Sequence, residues 1–415
     1  MVEKFIVKSH NQQKFVDYGF YMLIKFICKN FYSFGNEQEV SFEVGKKPSA
    51  SYYDINLESG ERLNKVLAVV GANGAGKTQL LRPLAFLGSF ISTSAFDYKP
   101  SESIPYMPHR LYADRPTDFE LHFMLGGEQY KYNLSVTKND VLLESLYKKT
   151  SRSYSYVFVR EKADDGYSYK QKGFGFSVAQ AKKVRSNVSV ISAAFQQNVS
   201  NASELYTYFN SFIFNVNMMG RRHFNDGDIL EATEFLKDDS KLKQRLHQAV
   251  FDFDLGIHDI EYKQQKVTDE KGEEHKFDFP FAIHKCEKGE FTLPLFEESS
   301  GTKALFVMLR RVLPVLQYGG VAILDEIDND LHPHMLPVIL DWFKHKETNQ
   351  HDAQIIFTCH TPEILNMLKK HQVYLVEKEC LESDAWRLDE MVGIRADDNL
   401  YAKYQAGALG AVPNV

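Results

Sequence analysis

The segment that most restricts the fold of this chain is the glycine-rich run GANGAGKT at residues 71–78. It satisfies the pattern G-x-x-x-x-G-K-[ST], whose backbone N–H groups wrap phosphates because glycines there avoid Cβ clashes. The run follows the apolar segment KVLAVV, residues 65–70, and precedes the apolar segment QLLRPLAFL. A buried strand, a phosphate-binding loop and a helix are therefore predicted in that order, which argues against a chance match.

The loop and the residue after it are predicted to surround the phosphates of a nucleotide. Lys77 is expected to reach the β- and γ-phosphates, and the hydroxyl of Thr78 to ligate Mg²⁺. Pro83 lies inside the following helix and is expected to bend it. The predicted nucleotide-binding residues are Gly71, Ala72, Asn73, Gly74, Ala75, Gly76, Lys77, Thr78 and Gln79.

A second segment, VAILDEIDNDLHP at residues 321–333, reads as a buried strand that ends in two carboxylates. Asp325 at the end of such a strand is placed to hold the Mg²⁺ shell through water. Glu326 is then placed to polarise the attacking water. The alternative is an ordinary acidic turn after a strand, and the glycine loop earlier in the chain favours the catalytic interpretation.

A third segment, AQIIFTC at residues 353–359, predicts a neighbouring strand that ends at His360. A polar residue at the tip of that strand can contact the γ-phosphate and report its presence. A structural histidine is the alternative, and the other motifs favour the sensor role.

A fourth segment, EESSGTK at residues 297–303, precedes the apolar helix ALFVMLRRVLPVL. Its hydroxyls and free N–H groups form an anion site at a helix N-terminus, although a plain N-cap has the same composition. Its position shortly before the acidic strand is where ABC-type ATPases carry the signature that serves a partner subunit's γ-phosphate. The predicted trans-signature residues are Ser299, Ser300, Gly301 and Thr302.

Composition limits the compartment and the general class. The formal net charge is −6, so the whole chain is not a basic nucleic-acid binder. The four cysteines have no metal-ligand spacing, which favours a reduced, cytoplasmic protein. The N-terminal run lacks the apolar core of a signal peptide, and no apolar run approaches the roughly 18–20 residues of a membrane span. We therefore expect no membrane association.

Residues 148–185 form a local exception, with ten Lys/Arg against three Asp/Glu and interleaved tyrosines. Basic and aromatic residues together can follow a nucleic-acid backbone and stack on bases. The same alternation describes the solvent face of an antiparallel sheet with cross-strand tyrosine pairs. Both interpretations stay open at this point.

The motifs resemble, in order, those of a bacterial ATPase family. NFYSF, GANGAGKT, SSGTK, LDEIDNDLHP, FTCHTPEIL and NLYAKYQAGALGAVPNV, between Met22 and Val415, are similar to the AAA-type, ABC-like proteins of abortive infection. These AbiL-like proteins are related to the ATPase halves of OLD, RecF and SMC proteins. The terminal Tyr404, Gly407, Gly410 and Pro413 are more specific to the family than the phosphate loop, which many NTPases share.

The resemblance implies an α/β fold, an ABC-type P-loop NTPase head with a mixed sheet flanked by helices and a large inserted antiparallel-β and helical region. Short alternating strands from 118, helical periodicity over 200–255 and a hairpin near 260–280 turning at 269–272 predict the insert. A long heptad array is missing, which argues against coiled-coil arms. The predicted units are an N-terminal extension (1–21), the first half of the head (22–117), the inserted lid region (118–290) and the second half of the head (291–415).

The resemblance also implies roles for single residues. It makes Lys77, Glu326 and His360 catalytic, Thr78 and Asp325 the Mg²⁺ ligands, and Asp328 and Asn329 the dimer-facing D-loop. It does not place a Q-loop glutamine; Gln196 and Gln197 are available, at an unusual spacing.

The function implied is an ATPase that pairs head to tail around Mg²⁺ and ATP. Each composite site uses Lys77 of one chain and Ser300 of the partner subunit. Such proteins act as sensors or scaffolds in anti-phage defence, and we expect a separately encoded effector, a nuclease or toxin from the same operon, because too few residues follow His360 for a fused nuclease domain. The alternative is a RecF-like DNA-repair ATPase. A transporter subunit fits less well because the signature and the NFYSF strand differ.

Overall fold

The computed structural model describes residues 21–222, 224–253, 256–268, 274–329 and 331–412. The predicted N-terminal extension up to residue 20, the predicted turn at 269–272 and Pro413 lie outside the described residues.

The described residues fold into strands and helices that are numbered in chain order. The strands are β1 (Tyr21–Lys29), β2 (Gln38–Ser41), β3 (Glu43–Val44), β4 (Asp54–Asn56), β5 (Arg62–Asn64), β6 (Val66–Gly71), β7 (Thr117–Leu125), β8 (Glu128–Val136), β9 (Val141–Thr150), β10 (Ser153–Ala163), β11 (Gly166–Gln171), β12 (Ile213–Phe214), β13 (Val216–Asn217), β14 (Gly220–Arg221), β15 (Asp259–Thr268), β16 (Glu274–Cys286), β17 (Gly289–Pro294), β18 (Val321–Leu324), β19 (Gln354–Thr358), β20 (Val373–Glu379) and β21 (Glu382–Arg387). The helices are α1 (Lys77–Asp97), α2 (Val178–Ala181), α3 (Val190–Gln196), α4 (Ser200–Asn210), α5 (Asp226–Lys237), α6 (Ser240–Asp252), α7 (Ser300–Tyr318), α8 (Met335–Lys344) and α9 (Leu400–Gln405).

A six-stranded sheet in the order β12-β18-β19-β6-β20-β21 forms the centre of the molecule. Its strands are parallel except β21, which runs antiparallel to β20. Helices cover both faces, so β6 and β18 are apolar along their whole length and every residue of β19 is buried. In β6, Leu67 and Val69 pack in the core that contains α1, whereas Val66, Ala68 and Val70 pack in the core that contains α7 and α8. The predicted buried strand before the glycine loop is thereby confirmed.

A seven-stranded antiparallel sheet, β11-β10-β9-β8-β7-β1-β2, packs against the α1 side of the central sheet. The alternating pattern of β7 places Phe119, Leu121 and Phe123 in the shared core and polar residues on the other face. β1 belongs to the predicted first half of the head and pairs with β7. The predicted boundary between residues 117 and 118 therefore runs through this sheet, and the division into units stays a prediction.

The prediction of a helical region over residues 200–255 is correct only in part. Helices α4, α5 and α6 lie there, but residues 213–221 form three two-residue strands between them. β12 extends the central sheet beside β18, and β13 and β14 pair as a hairpin. Strands this short carry no periodicity, so the helical pattern on either side obscured them. The hairpin predicted near 260–280 is confirmed as β15 paired with β16.

Helix α1 continues through Pro83 as one helix of 21 residues. Helices α3 and α4 pack against it, while α5 and α6 pack against α7 on the other side of the central sheet. Across the described residues, no helix combines the length and apolarity that a bilayer crossing requires. All four cysteines have free thiols; Cys28 and Cys359 are buried, and Cys286 and Cys380 are exposed.

Candidate functional site

The glycine loop joins β6 to α1 and is held tightly on both sides. A Cβ at Gly71 would lie 2.3 Å from the carbonyl oxygen of Val376, so only glycine fits. Gly76 has φ 115°, and a Cβ there would lie 2.5 Å from Oγ of Ser383. That hydroxyl donates a hydrogen bond of 2.6 Å to the carbonyl of Ala75. The loop thus has a shape fixed by strands β20 and β21.

Lys77 begins helix α1 and turns back into the loop. Its Nζ donates to the carbonyl oxygens of Gly71 at 2.8 Å and Ala72 at 3.1 Å. The side chain is buried, and burial lowers the pKa of Lys77 even though acidic groups nearby raise it. An ammonium inside a loop of backbone N–H groups is suited to phosphate oxygens.

Asp325 ends strand β18 and meets Thr78 directly. The Thr78 hydroxyl lies 3.0 and 2.9 Å from the two carboxylate oxygens, and the Thr358 hydroxyl donates to Oδ1 at 2.7 Å. Burial raises the pKa of Asp325, and the two hydroxyl hydrogen bonds oppose that rise. Asn215 fixes the backbone of Asp325: it accepts from the N–H at 2.6 Å and donates to the carbonyl at 2.8 Å.

The donor set around Asp325 fits Mg²⁺. A hydroxyl and a carboxylate in contact offer the hard oxygen ligands that Mg²⁺ prefers, and this ion keeps several waters and substrate phosphates in its shell. A site of that kind needs few protein ligands. In the ranges that the structure describes, no group of three or more His, Cys, Asp or Glu residues forms a separate metal site.

Glu326 follows Asp325 in a left-handed backbone conformation, with φ 47°. Such strain in a non-glycine residue is concentrated at functional sites. Its carboxylate lies 2.8 Å from Nη1 of Arg221, 3.3 Å from Nδ2 of Asn329 and 3.4 Å from Nε2 of His360. Burial raises the pKa of Glu326, but the hydrogen bond with His360 and the charge of Arg221 outweigh it, so the net pKa is lowered. Glu326 is therefore an ionised carboxylate at neutral pH.

The loop that carries His360 is organised by Asp328. Oδ2 of Asp328 accepts hydrogen bonds from the N–H of His360 at 2.9 Å and from the N–H and hydroxyl of Thr361 at 2.8 and 2.6 Å. Of the two predicted D-loop residues, Asp328 is thus directed into its own chain and Asn329 is exposed beside Glu326. Their role toward a second chain stays a prediction.

These residues surround one cavity of about 310 Å³. Its lining comes from the loop, the start of α1 and the ends of β18 and β19. The lining residues are Ala72, Asn73, Gly74, Gly76, Lys77, Thr78, Gln79, Glu326 and His360. The structure therefore brings together most residues that the sequence predicted for nucleotide binding and catalysis.

The predicted signature residues lie outside that cavity. Ser299 is the N-cap of α7, and its Oγ accepts from the N–H of Thr302 at 3.1 Å. Ser300, the first helical residue, is exposed. Ser299 therefore caps α7, and the N-terminus of this helix is exposed to solvent. Contact of this turn with the nucleotide of another chain stays a prediction.

Three residues at the site were missed by the sequence reasoning: Asn215, Arg221 and Thr358. Thr358 could have been found, because a hydroxyl at the last position of a core strand lies beside the carboxylate that follows the neighbouring strand. Asn215 follows a strand of two residues and Arg221 belongs to another, and nothing in the sequence connects them to Asp325 and Glu326.

The two available glutamines do not reach the site. Gln196 lies near the carbonyl of Ala95, and Gln197 accepts a hydrogen bond from Gln180. Ala95 is near the far end of α1, which at 1.5 Å per residue is on the order of 25–30 Å from Lys77. Gln196 and Gln197, which the sequence left open as available glutamines, therefore do not belong to this cavity.

The basic stretch at 148–185 is partly structural. Arg160 is fully buried and donates to the carbonyls of Val184 and Val188, while Lys148 pairs with Glu128 at 3.3 Å. Arg185 and Lys162 are likewise engaged, with the Tyr98 carbonyl and the Asp140 carboxylate respectively. The basic residues that remain exposed include Arg152, Lys170, Lys172, Lys182 and Lys183. These contacts favour the sheet interpretation, and nucleic-acid binding stays a prediction.

The topology and the site together define a P-loop ATPase head of the ABC type. The phosphate loop follows one parallel strand, the two carboxylates follow a second, and the histidine follows the strand between them. An antiparallel sheet that includes the N-terminal strand packs against this α/β core.

The family match agrees with this class. Residues 66–366, more than half of the chain, match the family described as "AAA domain, putative AbiEii toxin, Type IV TA system". The chain belongs to this family. No curated protein matches it in sequence.

Several solved structures are similar over most of their length. The SMC head domain from Thermotoga maritima is 15% identical with a TM-score of 0.42, covering 88% of this chain and 98% of that one. An SmcHead bound to the C-winged helix domain of ScpA is 13% identical with a TM-score of 0.43, covering 90% and 99%. An Smc head domain with an extended coiled coil, bound to the C-terminal domain of ScpA derived from Pyrococcus furiosus, is 12% identical with a TM-score of 0.40, covering 89% and 97%. Backbone likenesses at this level carry no functional argument.

Proposed function

We propose that this protein binds Mg²⁺ and ATP in the cavity of about 310 Å³ and hydrolyses ATP to ADP and phosphate. One observation carries the proposal: the Thr78 hydroxyl and the Asp325 carboxylate are in hydrogen-bond contact, and Lys77 and Glu326 line the same cavity. A cation site, an ammonium and an ionised carboxylate are the groups that phosphoryl transfer to water requires.

Each side chain then has a defined task. Lys77 exchanges the loop carbonyls for phosphate oxygens, and Thr78 and Asp325 hold the metal ion, which neutralises phosphate charge when bound. Glu326 accepts a proton from water as its oxygen attacks the γ-phosphorus and the bond to the leaving ADP oxygen breaks. His360, 3.4 Å from Glu326, is positioned to contact the γ-phosphate at the same edge of the sheet.

A second chain completes the site in this proposal. The turn Ser299–Thr302 is at the N-terminus of a 19-residue helix and lies outside its own chain's cavity. Exposed N–H groups at the start of a long helix attract anions. Head-to-tail pairing places this turn of the partner subunit against the γ-phosphate, so that ATP holds the two chains together.

The biological setting that we propose is defence against phage by abortive infection. The description of the family, with its putative AbiEii toxin and type IV toxin–antitoxin system, supports this setting. The protein then acts in the cytoplasm as the ATP-dependent sensor or scaffold for a separately encoded nuclease or toxin. A RecF-like DNA-repair ATPase is the second candidate, favoured by the exposed lysines around β11 and α2.

Two variants test the central proposal. Lys77→Ala is expected to abolish ATP binding and ATP-dependent pairing, because the loop loses its cation. Glu326→Gln is expected to keep ATP binding and to accumulate the paired state, because only the base is lost. Calorimetric titration with Mg²⁺ and ATP, and light scattering after size exclusion, measure both effects. Identical oligomeric states for the two variants in ATP contradict the proposal.

A further inference from the structure

The hairpin formed by β13 and β14, residues 216–221, lies between helix α1 and Glu326. We call it the arginine hairpin, because it ends in Arg221. It belongs to the region between α4 and α5 and contains none of the four nucleotide motifs. Its contacts nevertheless reach both the phosphate-loop helix and the candidate catalytic carboxylate.

Arg221 makes the contact with the carboxylate. Its Nη1 lies 2.8 Å from Oε2 of Glu326, with the two side chains 10% and 28% exposed. A guanidinium at this distance fixes the direction of the carboxylate and competes with a water molecule for its oxygen. Glu326 is thus held by a residue from outside the motif strands.

The base of the hairpin is attached to the end of strand β18, next to Asp325. Asn215, directly before the hairpin, holds the backbone of Asp325 through two hydrogen bonds of 2.6 and 2.8 Å. The N–H of Arg222, directly after the hairpin, donates to the carbonyl of Asn215 at 2.7 Å. Both ends of the hairpin are therefore attached to Asn215, whose side chain holds the backbone of Asp325.

The turn of the hairpin packs on the first part of helix α1. The hydroxyl of Tyr32 donates to the carbonyl of Met218, and the guanidinium of Arg82 lies 4.3 Å from the centre of the Tyr32 ring. A Cβ at Gly220 would lie 3.1 Å from Nη2 of the same arginine. Met219, at the tip, is 93% exposed. The hairpin thus contacts α1 through Arg82 and exposes Met219 to solvent.

The chemistry of Arg221 suits an exchange of partners. The guanidinium fork matches phosphate oxygens as well as carboxylate oxygens, and both contacts are charge-assisted. A terminal phosphate in the cavity lined by Lys77 and Glu326 carries more negative charge than one carboxylate. Glu326 lines that cavity, and Arg221 contacts the Glu326 carboxylate, so the guanidinium is one side chain away from the cavity.

We propose that Arg221 exchanges Glu326 for the terminal phosphate of bound ATP, and that the arginine hairpin moves with it. This inference rests on the proposed binding of ATP. Before ATP binds, the ion pair with Arg221 restrains the Glu326 carboxylate. After ATP binds, Glu326 is free to contact water. The exposed tip at Met219 then changes position, and a partner that contacts this surface can detect the change.

The experiment places a fluorescent thiol probe at Met219→Cys, in a chain whose two exposed cysteines are changed by Cys286→Ser and Cys380→Ser. ATP binding is measured separately by calorimetry. We expect ATP to change the probe signal and ADP to leave it near the nucleotide-free value. If this chain binds no ATP, the proposed function fails as well; if it binds ATP and the probe does not respond, only the hairpin inference is overturned.

Variants of the arginine identify the cause of the response. Arg221→Gln is expected to keep ATP binding, to lose the probe response and to lower kcat on the order of 100-fold, the usual cost of one charge-stabilising donor. Arg221→Lys is expected to recover part of the response. The matched control is Arg222→Gln, because Arg222 pairs with Asp228 and Glu231 on α5. An unchanged response in Arg221→Gln, or an equal loss in Arg222→Gln, overturns the inference.

Discussion

The central sheet and the arginine hairpin both supply side chains to Glu326, but they place them in different ways. His360 follows β19, whose position is set by parallel pairing with β18 and β6 over their whole length. Arg221 is the second residue of the two-residue strand β14, and its hairpin is held by hydrogen bonds to the carbonyls of Met218 and Asn215. Residues at the ends of long buried strands are fixed by the fold, whereas residues on a short surface hairpin can change partners at small cost.

The largest effect that we expect is on kcat, for a substitution of Glu326 just after the end of the central-sheet strand β18. Glu326→Gln removes the base without changing size, so kcat should fall by roughly 10²–10⁴-fold while ATP binding is kept. Phosphate release and calorimetric titration measure the two quantities. Glu363→Gln is the control, since Glu363 contacts Tyr401 instead of the cavity. A kcat within a few-fold of the parent would remove Glu326 from the mechanism.

The second prediction separates structural from functional arginines. Arg160→Met removes a fully buried guanidinium that satisfies three backbone carbonyls and lies near the buried carboxylate of Glu144. Breaking a buried charged network costs about 3–5 kcal/mol, so the free energy of unfolding in urea should fall by that order. ATP turnover per folded molecule should be unchanged. A variant of parental stability would show that this buried network contributes little to the free energy of unfolding.

The third prediction concerns pH. Arg221 and His360 lower the pKa of Glu326, and the carboxylate must be ionised to act as a base, so the acidic limb of kcat/KM lies below the ordinary pKa of 4.5. Activity lost through this group is lost only as the pH falls through that depressed value. Arg221→Gln removes one of the lowering charges and should move the limb to higher pH, whereas Arg222→Gln should leave it in place. Steady-state rates between pH 4 and 8 test this; a limb that does not move in Arg221→Gln contradicts it.

The smallest effect on stability and on ATP hydrolysis is expected for the exposed lysines around β11 and α2. Replacing Lys170, Lys172, Lys182 and Lys183 by Glu changes exposed residues, so stability should shift by no more than about 0.5 kcal/mol and ATP hydrolysis should stay at the parental rate. Retention of DNA or RNA is the informative readout. Loss of retention supports the RecF-like candidate, and unchanged retention removes nucleic-acid binding by this surface.

The sequence predicted the site best where chemistry and topology coincide. Lys77, Asp325 and His360 could be placed because each follows an apolar run that reads as a buried strand, and parallel strands bring their carboxyl ends to one edge. The strands β7 to β11 were visible in their alternating pattern, as β7 illustrates, but their joining with β1 and β2 in one sheet was not predicted.

The arginine hairpin could not be predicted, for physical reasons. Strands of two residues have no period, and their place depends on tertiary contacts such as the hydrogen bond from Tyr32 to Met218, 186 positions apart. The same limit applies to Gln196 and Gln197: their residue type suited a Q-loop, but Gln196 lies near the carbonyl of Ala95 at the far end of α1, and Gln197 contacts Gln180. Residue type alone does not locate a side chain that no strand end or local motif fixes.

The Ser383 hydroxyl, which shapes the phosphate loop at Ala75, also lies 2.8 Å from the hydroxyl of Ser33, 350 positions earlier. During synthesis on the ribosome, the loop residues are therefore made long before the strand that gives the loop its final shape. A nascent chain that ends before β21 carries the complete glycine motif but lacks the Ser383 hydroxyl that contacts the loop at Ala75. The phosphate loop therefore makes this contact only after Ser383 has been synthesised.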